Sequence, residues 1–389
     1  MNIIPRHRIE IRFSSILFAL LFSRAKKIIQ FKGELERYFN HQVMFLQSAR
    51  AALYYLLRAM PQETIIVPAY TCKVVPEAGF LAGKKIIYVD IDIHTFNMDV
   101  NDLKVKMKPD SIIIATHQYG IPCEIDKIAE LAQKNHCVLI EDCAAAFGSK
   151  IGGRLVGTFG LASIFSFEFT KVLSAGRGGF ILFKEKALYE KMKLLFGKEL
   201  HQPNPIFMAK IILLLFLHKI VTLPVVYNFF IRTFYRKFGF SMDQGEIRPY
   251  KDELYRYSLS SFEATIGLLN LKRIDDIIQR RWEVAHQYLQ GLNETKGLGL
   301  PLLPRHSFCS FMRFPVRILS RNRDGFYLRC LEKGLDLGFT YTYSCSKECR
   351  NSLLAASQVV NLPMNSHLTD VEVTKIINTM KEIVEAESL

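Results

Sequence analysis

Residues 165–183 read FSFEFTKVLSAGRGGFILF and place one lysine between two apolar runs. The first run ends before Lys171, and a cluster of glycines separates this lysine from the second run. Both runs are typical of buried strands. A lone lysine at a strand end is usually a surface residue, but an ammonium group in apolar surroundings is costly unless it is paired, neutralised or bonded. The neighbouring sequence therefore decides whether Lys171 has a chemical role.

Short apolar runs alternate with amphipathic stretches through the first half of the chain. Runs typical of strands buried on both faces occupy residues 64–67, 85–89, 111–115, 137–140, 164–167 and 179–183. Residues 49–60 and 125–134, which lie between such runs, have helical spacing. This alternation predicts an α/β fold with a mainly parallel sheet.

The length and composition predict a globular protein of two domains. The chain has 389 residues, of which 49% are hydrophobic and 23% are charged. We expect a basic, apolar N-terminal segment over residues 1–33 and a large α/β domain over residues 34–250. A small C-terminal α/β domain follows over residues 251–389, where strand and helix patterns alternate again.

The net charge of +14 is concentrated in two apolar segments. Residues 1–33 carry seven Lys/Arg and one acid, and residues 200–242 carry five Lys/Arg and no acid. Basic residues mixed with bulky aliphatic ones favour contact with an anionic membrane surface over nucleic-acid binding. The alternative is that both segments pack against the second subunit of a dimer. Lys210, Lys219 and Pro224 make a membrane-spanning helix in the second segment an unfavourable interpretation.

The cysteines and the N-terminus indicate a cytoplasmic protein. The eight cysteines include no Cys-x-x-Cys pair, and several lie in apolar runs, so we interpret them as buried thiols in a reducing compartment. No set of zinc ligands is expected. The N-terminal apolar run at residues 16–22 is short and lacks a cleavage pattern. We therefore expect a cytoplasmic location, with peripheral contact at the inner face of the membrane left open.

Asp142 is a carboxylate placed to meet a ligand that also contacts Lys171. Asp142 follows the buried run that ends at residue 140, and ligands of parallel sheets bind beyond the carboxyl ends of the strands. Taken alone, Asp142 would read equally well as the N-cap of a following helix.

A second feature predicts a seat for a phosphate. Ser48 precedes a helical run. The backbone N–H groups at the start of that helix, at Ala49 and Arg50, have no hydrogen-bond partners within the helix and therefore bind anions readily. Ser166, five residues before Lys171, adds a hydroxyl. A phosphate seat, a carboxylate and a partly desolvated lysine together suit pyridoxal 5'-phosphate.

A series of short motifs extends this interpretation. The motifs are Val67-Pro-Ala-Tyr-Thr71, Val89-Asp-Ile-Asp92, Thr95-Phe-Asn97, His117-Gln-Tyr-Gly120, Ile140-Glu-Asp142, Phe147-Gly148, Val156-Gly157, Phe165-Ser-Phe167, Gly176-Arg-Gly-Gly179, Phe262-Glu-Ala-Thr-Ile-Gly267, Arg280-Arg281 and Asn361-Leu-Pro363. In this order they resemble the DegT/StrS family of pyridoxal-phosphate-dependent nucleotide-sugar aminotransferases, which have fold type I. The resemblance covers roughly residues 40–199 and 250–385.

The resemblance implies a role for each candidate residue. Lys171 would form the Schiff base with the cofactor, and Asp142 would pair with the pyridine nitrogen. Ser166 and the amides at residues 48–50 would hold the phosphate. Arg256, which aligns with part of an Asn-x-Arg pair from the neighbouring subunit, would reach the phosphate across a homodimer interface.

Several positions depart from the pattern of that family. Cys72 stands where an aromatic residue usually stacks on the cofactor ring, and Ala145 stands where Gln or His usually occurs. Phe147 replaces a frequent histidine, and Ser258 replaces the arginine of the Asn-x-Arg pair. His117 reads as a packed or hydrogen-bonded residue near the site.

The resemblance implies transfer of an amino group from glutamate to a nucleotide-linked keto-sugar, for polysaccharide or glycan biosynthesis. Two alternatives stay open. The departures at Cys72 and Ala145 are compatible with an inactive family member that binds a sugar nucleotide or a membrane-associated partner. A sugar dehydratase is the other alternative, although dehydratases of the family can carry histidine where this chain has Lys171.

Overall fold

The computed structural model describes residues 3–223, 225–229, 253–320 and 322–388. The helices are α1 Phe13–Phe22, α2 Lys26–Phe39, α3 Ala49–Ala59, α4 Val74–Leu81, α5 Val100–Lys106, α6 Ile125–Lys134, α7 Lys186–Phe196, α8 Pro205–Val221, α9 Ser261–Leu271, α10 Ile274–Leu292, α11 Arg323–Glu332, α12 Arg350–Gln358 and α13 Asp370–Ser388. The strands are β1 Gln42–Leu46, β2 Thr64–Pro68, β3 Lys85–Val89, β4 Ile112–Thr116, β5 Val138–Asp142, β6 Lys150–Ile151, β7 Arg154–Leu155, β8 Ala162–Ser166, β9 Gly179–Phe183, β10 Leu298–Gly299, β11 Ser307–Phe308, β12 Phe314–Ile318 and β13 Val359–Leu362.

A seven-stranded sheet forms the centre of the large unit, with the strand order β1-β9-β8-β5-β4-β2-β3. The five strands from β8 to β3 are parallel, and β9 runs antiparallel to both β8 and β1. The prediction of a mainly parallel α/β sheet is therefore confirmed. The run at residues 85–89 is an exception to the predicted burial, because β3 lies at the edge of the sheet and is largely half-exposed.

The continuous apolar runs are explained by helices on both faces of this sheet. Along β4, Ile112 and Ile114 pack in the cluster formed with α3 and α7, while Ile113 and Ala115 pack in the cluster with α5 and α6. A strand covered on both faces needs apolar residues at every position. The parallel strands β4, β5 and β8 end side by side at Thr116, Asp142 and Ser166, so their polar ends meet at one edge.

A smaller unit follows α10. Its antiparallel sheet has the order β10-β12-β13 and contributes Phe314 and Val316 to a core that also takes in α10 and α13. Tyr70 and Tyr119 from the large unit belong to the same core, so the two units share a packed interface next to the carboxyl edge of the large sheet. The predicted boundaries at residues 33 and 250 stay predictions.

The N-terminal segment is tied to the body of the protein by a buried ion pair. Glu10 and Arg281 are both fully buried, and their charged groups lie 2.7 Å apart. Behind this pair, α1, α8 and α9 meet in one apolar cluster that includes Ile16, Leu215 and Ile266. Residues 230–242 of the predicted basic insertion lie outside the described residues. Within the described chain, no helix combines the length and the apolar character needed to cross a membrane.

Candidate active site

One cavity at the carboxyl edge of the large sheet brings most of the predicted residues together. Its volume is about 410 Å³. The predicted residues that line it are Ser48, Ala49, Arg50, Cys72, Asp142, Ala145, Ser166 and Lys171. Arg256 does not line it. The residues come from four different stretches of the chain, and the parallel topology is what makes them converge.

Asp142 is the buried acid of this cavity. It is the last residue of β5, is 5% exposed, and accepts a hydrogen bond from the backbone N–H of Ala144 at 3.0 Å. Burial raises the pKa of the Asp142 carboxyl, while the Ala144 amide, Lys171 and His117 act in the opposite direction. A carboxylate in this state gains from a nearby cationic hydrogen-bond donor.

Lys171 follows β8 in the bend that leads to β9. Its side chain is half-buried, and Nζ lies 3.4 Å from Sδ of Met312 in the smaller unit. Lys171 is close enough to Asp142 and Cys72 to affect the pKa of both. The ammonium group and the carboxylate therefore face one small space, as the sequence predicts.

The start of α3 forms the end of the cavity suited to a phosphate. The hydroxyl of Ser48 caps the helix by accepting from the N–H of Ala51 at 3.1 Å, so the amides of Ala49 and Arg50 have no partner within the helix. Gly179 makes the close approach of β9 possible, since a Cβ atom there would lie 2.5 Å from the nitrogen of Ala49. The side chain of Arg50 also lines the cavity, and its guanidinium lies 4.0 Å from the carboxylate of Glu77.

Small side chains line the region between the phosphate end and Asp142. Cys72 and Ala145 both reach the cavity, as expected for the positions where the family usually has an aromatic ring and an amide or imidazole. Burial raises the pKa of the Cys72 thiol, so the thiol is neutral near pH 7. Tyr341, from the segment between α11 and α12, is an aromatic residue that also lines this cavity.

The residues present fit pyridoxal phosphate. The cavity offers an anion seat at the helix start, a buried carboxylate and an amine, and it is large enough for a substituted pyridine ring. In addition, Thr116 is 5% exposed and lines the cavity, and its Oγ1 has no hydrogen-bond partner in the described part of the chain. Buried polar atoms are normally hydrogen-bonded, so this hydroxyl indicates a polar ligand in the cavity.

Three other predicted residues lie outside the cavity. Arg256 is exposed at the end of the helical turn Glu253–Arg256. Phe147 is buried in an aromatic cluster, with its ring 5.3 Å from that of Tyr38. His117 is fully buried and hydrogen-bonded to Glu141 at 3.1 Å, which confirms the interpretation as a packed histidine.

His117, Glu141 and Cys143 lie close enough together for a metal ion, but their atoms are already used. The carboxylate of Glu141 accepts the amides of Gly157, Phe159 and Gly160 at 2.7–2.8 Å. Nδ1 of His117 accepts the amide of Cys123. The group is best explained as a network that fixes the end of β5 next to Asp142.

Several further residues belong to the cavity or contact it and were not predicted from the sequence. Tyr341, Glu168 and Arg177 line it, and Met312 contacts Lys171. Glu168 and Arg177 lie within residues 165–183, where two charged residues close to Lys171 in an otherwise apolar stretch are a signal of a polar site. Tyr341 and Met312 come from the smaller unit, and only the docking of the two units brings them here.

Comparisons with known proteins agree with this geometry. The family model DegT/DnrJ/EryC1/StrS aminotransferase matches residues 10–381. The chain is 30% identical over 232 residues to a protein named GDP-perosamine synthase from Escherichia coli O157:H7. This match covers 59% of this chain and 52% of that protein. It is 25% identical over 356 residues to dTDP-4-dehydro-2,3,6-trideoxy-D-glucose 4-aminotransferase from Saccharopolyspora spinosa, covering 88% of this chain and 85% of that protein.

Solved structures show the same fold. DesV from S. venezuelae superposes with a TM-score of 0.78 at 21% identity and covers 99% of both chains. Spr1654 from Streptococcus pneumoniae, in its PLP form, gives a TM-score of 0.74 at 19% identity and also covers 99% of both chains. The family match, which spans nearly the whole chain, shows that this protein belongs to the DegT/DnrJ/EryC1/StrS aminotransferase family, whose cofactor is pyridoxal phosphate.

Proposed function

We propose that this protein transfers an amino group from glutamate to a nucleotide-linked keto-sugar, in the synthesis of a polysaccharide or another glycan. The observation that carries the proposal is the convergence of Lys171 and Asp142 on one cavity whose other end is the start of α3. Relatives named for GDP-, dTDP- and UDP-linked sugars support the nucleotide-sugar class.

Each residue would contribute a separate part of the chemistry. Bound pyridoxal phosphate supplies a ring that withdraws electrons from the reacting carbon. Ser166 and the amides of Ala49 and Arg50 would hold the phosphate, and Asp142 would keep the proton on the pyridine nitrogen. The amine of Lys171, once displaced by the amino group of the substrate, would carry the proton between the substrate and the cofactor.

Transfer of a labelled amino group tests the proposal. Purified holoenzyme is incubated with ¹⁵N-glutamate and, in turn, keto-sugars linked to UDP, dTDP and GDP, and the products are identified by mass spectrometry. We expect one aminated sugar nucleotide that contains ¹⁵N. A deoxygenated sugar without ¹⁵N would establish the dehydratase alternative, and the absence of any product would favour the inactive family member.

One feature of the cavity favours the alternative that the protein is an inactive family member. Cys72 offers less stacking surface than an aromatic side chain, and an aromatic contact contributes about 0.5–1.5 kcal/mol. We expect Cys72→Tyr to tighten pyridoxal phosphate binding by roughly 2- to 10-fold, measured by equilibrium titration. Wild-type protein that fails to bind the cofactor at micromolar concentration, while Cys72→Tyr binds it, would support the inactive alternative.

We also propose a homodimer in which Arg256 serves the cavity of the partner subunit. The support is its position, since Arg256 is exposed and lies outside the cavity of its own chain. Mixed dimers of Lys171→Ala and Arg256→Ala subunits would contain one complete site if Arg256 acts across the interface. Activity that exceeds that of either variant alone would support the proposal, and activity no higher than the variants would contradict it.

We further propose that α1 and α8 contact an anionic membrane at the inner face, from a cytoplasmic location. The two helices share an apolar cluster, yet both expose large apolar side chains beside exposed basic residues. These side chains are Leu17, Leu20, Leu21, Phe22, Ile206, Leu213, Leu214 and Leu217, and the nearby basic residues are Arg12, Arg24, Lys26 and Lys210. Such a mixture suits the headgroup region of a bilayer.

Flotation with vesicles tests the membrane proposal. Wild-type protein should float with vesicles of phosphatidylcholine and phosphatidylserine and less with phosphatidylcholine alone. The double variant Leu21→Glu/Leu214→Glu should lose flotation, whereas Phe80→Glu, which alters an exposed apolar residue on α4, should not. Unchanged flotation of the double variant would contradict the proposal.

A further inference from the structure

The loop that carries Lys171, residues 168–176, is closed at its base. Glu168 and Gly176, its first and last residues, pair with each other as an isolated β-bridge. Within this Lys171 loop, the backbone N–H of Lys171 donates to the carbonyl oxygen of Glu168 at 2.8 Å. Because the two ends of the loop are joined, a contact made at either end also acts on the position of the lysine.

The helix α8 contacts the Lys171 loop near both of its ends. Near one end, the ring of His218 lies 4.4 Å from the ring of Phe169, measured between centroids. At the other end, a Cβ atom at Gly176 would lie 3.6 Å from Cδ2 of Leu215. Phe169 lines the cavity and also packs in the apolar cluster to which α8 contributes. The helix therefore supports this wall of the cavity.

The loop backbone decides where the amine of Lys171 lies. Among the described residues, Lys171 has no ion-pair partner within 4.0 Å, and the one acceptor of its Nζ is the thioether sulfur of Met312 at 3.4 Å. A thioether is a weak hydrogen-bond acceptor. The contacts of α8 are made to the loop and not to Nζ, so α8 acts on the amine through the loop.

The two faces of α8 have different surroundings. Phe207, Ile211 and Leu215 recur every four residues and are at most 8% exposed, as expected for one buried face of a helix. Leu213 and Leu217 are 58% and 48% exposed and belong to the proposed membrane surface. A helix is about 10–12 Å across with its side chains. One helix thus separates a bound bilayer from the Lys171 loop.

We propose that α8 positions the Lys171 loop, and that an anionic membrane at the outer face of α8 thereby tightens the binding of pyridoxal phosphate. The proposal rests on the proposed membrane contact of α8. A bilayer restricts the motion of the helix and of the loop packed on it, so less conformational entropy remains to be lost when the cofactor binds. The coupling is reciprocal, because bound cofactor must strengthen membrane binding by the same factor.

Titration of the cofactor with and without vesicles tests the coupling apart from turnover. Pyridoxal phosphate is titrated spectroscopically into the apo-protein alone, with phosphatidylcholine vesicles, and with vesicles that also contain phosphatidylglycerol. Phosphatidylglycerol is anionic and has no amine that could react with the cofactor. We expect the anionic vesicles to tighten cofactor binding about 5-fold or more, the lower end of the range for coupled sites, and the neutral vesicles to leave it unchanged. Flotation of apo- and holo-protein measures the reciprocal effect.

Variants of the buried face of α8 separate positioning from membrane binding. Leu215→Ala and His218→Ala should still float, but anionic vesicles should no longer tighten cofactor binding, and borohydride should trap less of the cofactor on residue 171. Leu215→Met, which retains the side-chain volume, should behave as wild type. The matched control is Leu103→Ala, which shortens a fully buried leucine of α5 in a different apolar cluster and should keep the vesicle effect. Thermal melting confirms that each variant is folded.

Three results would overturn the proposal. They are equal cofactor affinity with and without anionic vesicles in wild-type protein that floats, a full vesicle effect in both Leu215→Ala and His218→Ala, and an equal loss of the effect in Leu103→Ala. If Leu215→Ala does not fold, His218→Ala decides, because His218 is only half-buried.

The outcomes also distinguish this coupling from the proposals on which it depends. Wild-type protein that fails to float would contradict the membrane contact and the coupling together. Protein that floats and shows the vesicle effect, but transfers no amino group, would count against the proposed aminotransferase function alone.

Discussion

At the scale of single residues, Asp142 combines a cost to folding with a role in binding. Its folded pKa is raised above the ordinary value of 3.8, so the folded apo-protein holds the proton more tightly than the unfolded chain does. The resulting penalty is absent below that value and grows as the pH rises toward the folded pKa. We therefore expect Asp142→Asn to raise the melting temperature of the apo-protein at pH 7 and to leave it unchanged near pH 3.

The same Asp142→Asn substitution should weaken binding of the cofactor. An amide lacks the charge that pairs with a protonated pyridine nitrogen, and we expect pyridoxal phosphate to bind about 10- to 100-fold less tightly. Melting curves of the apo-protein and spectroscopic titration of the cofactor measure the two effects. Loss of both stability and affinity would instead mean that Asp142 is needed for the fold.

Residue chemistry explains why part of the cavity was predictable from the sequence. Lys171, Asp142 and Ser48 are polar residues that interrupt apolar runs, and the strand pattern alone places them at one edge of the sheet. Tyr341 and Met312 have no comparable local signal. Tyr341 lines the cavity and Met312 contacts Lys171 only because the smaller unit packs against Tyr70 and Tyr119, a long-range contact that no short sequence window encodes.

At the scale of elements, the contact between β9 and the start of α3 supports the predicted phosphate seat. An added Cβ at Gly179 would lie 2.6 Å from the carbonyl oxygen of Phe165 as well as 2.5 Å from the nitrogen of Ala49. Both are backbone atoms that cannot move aside. We expect Gly179→Ala to destabilise the protein by about 2 kcal/mol, the cost of overpacking, and to weaken cofactor binding.

Gly33 is the matched control for this substitution. It lies inside α2, and a Cβ there would meet nothing within 4 Å. Since alanine is the better helix former, Gly33→Ala should stabilise the protein by about 0.5–1 kcal/mol. Urea unfolding compares the two variants, and equal effects would show that the β9–α3 contact is not tight.

The elements themselves were largely predictable. The runs at residues 64–67 and 179–183 became β2 and β9, because continuous apolar residues suit strands covered on both faces. The antiparallel direction of β9 did not follow from its pattern, since burial on both faces erases the alternation that distinguishes antiparallel strands.

At the scale of the whole molecule, the Glu10–Arg281 pair joins the N-terminal segment to α10. Burial would raise the pKa of Glu10, but Arg281, His367 and the hydrogen bonds from Ser366 together outweigh burial and lower the pKa. Glu10 therefore contributes stability above its ordinary pKa of 4.5 and loses that contribution as the pH falls. We expect Glu10→Gln to cost about 3–5 kcal/mol at pH 7, because it leaves Arg281 buried without its counter-charge.

Lowering the pH should reduce the difference in unfolding free energy between Glu10→Gln and wild type. Urea unfolding at pH 7 and below pH 4 measures this difference. The control is Glu34→Gln, which removes an exposed pair with Arg37 and should cost less than about 0.5 kcal/mol at either pH. A constant difference for Glu10→Gln across this pH range would mean that the ion pair is not the source of the stability. The partner of Glu10 could not be predicted from the sequence, because the pair joins residues 271 positions apart.

The covalent attachment of the cofactor to Lys171 is the most direct test of the central claim. Wild type, Lys171→Ala and Lys184→Ala are loaded with pyridoxal phosphate, reduced with borohydride and digested for peptide mass spectrometry. Lys184 is the exposed lysine that follows β9. The cofactor mass should appear on the peptide containing Lys171 in wild type and Lys184→Ala, and be absent from Lys171→Ala. A modified peptide that lacks residue 171, or an unaltered yield in Lys171→Ala, would contradict the assignment.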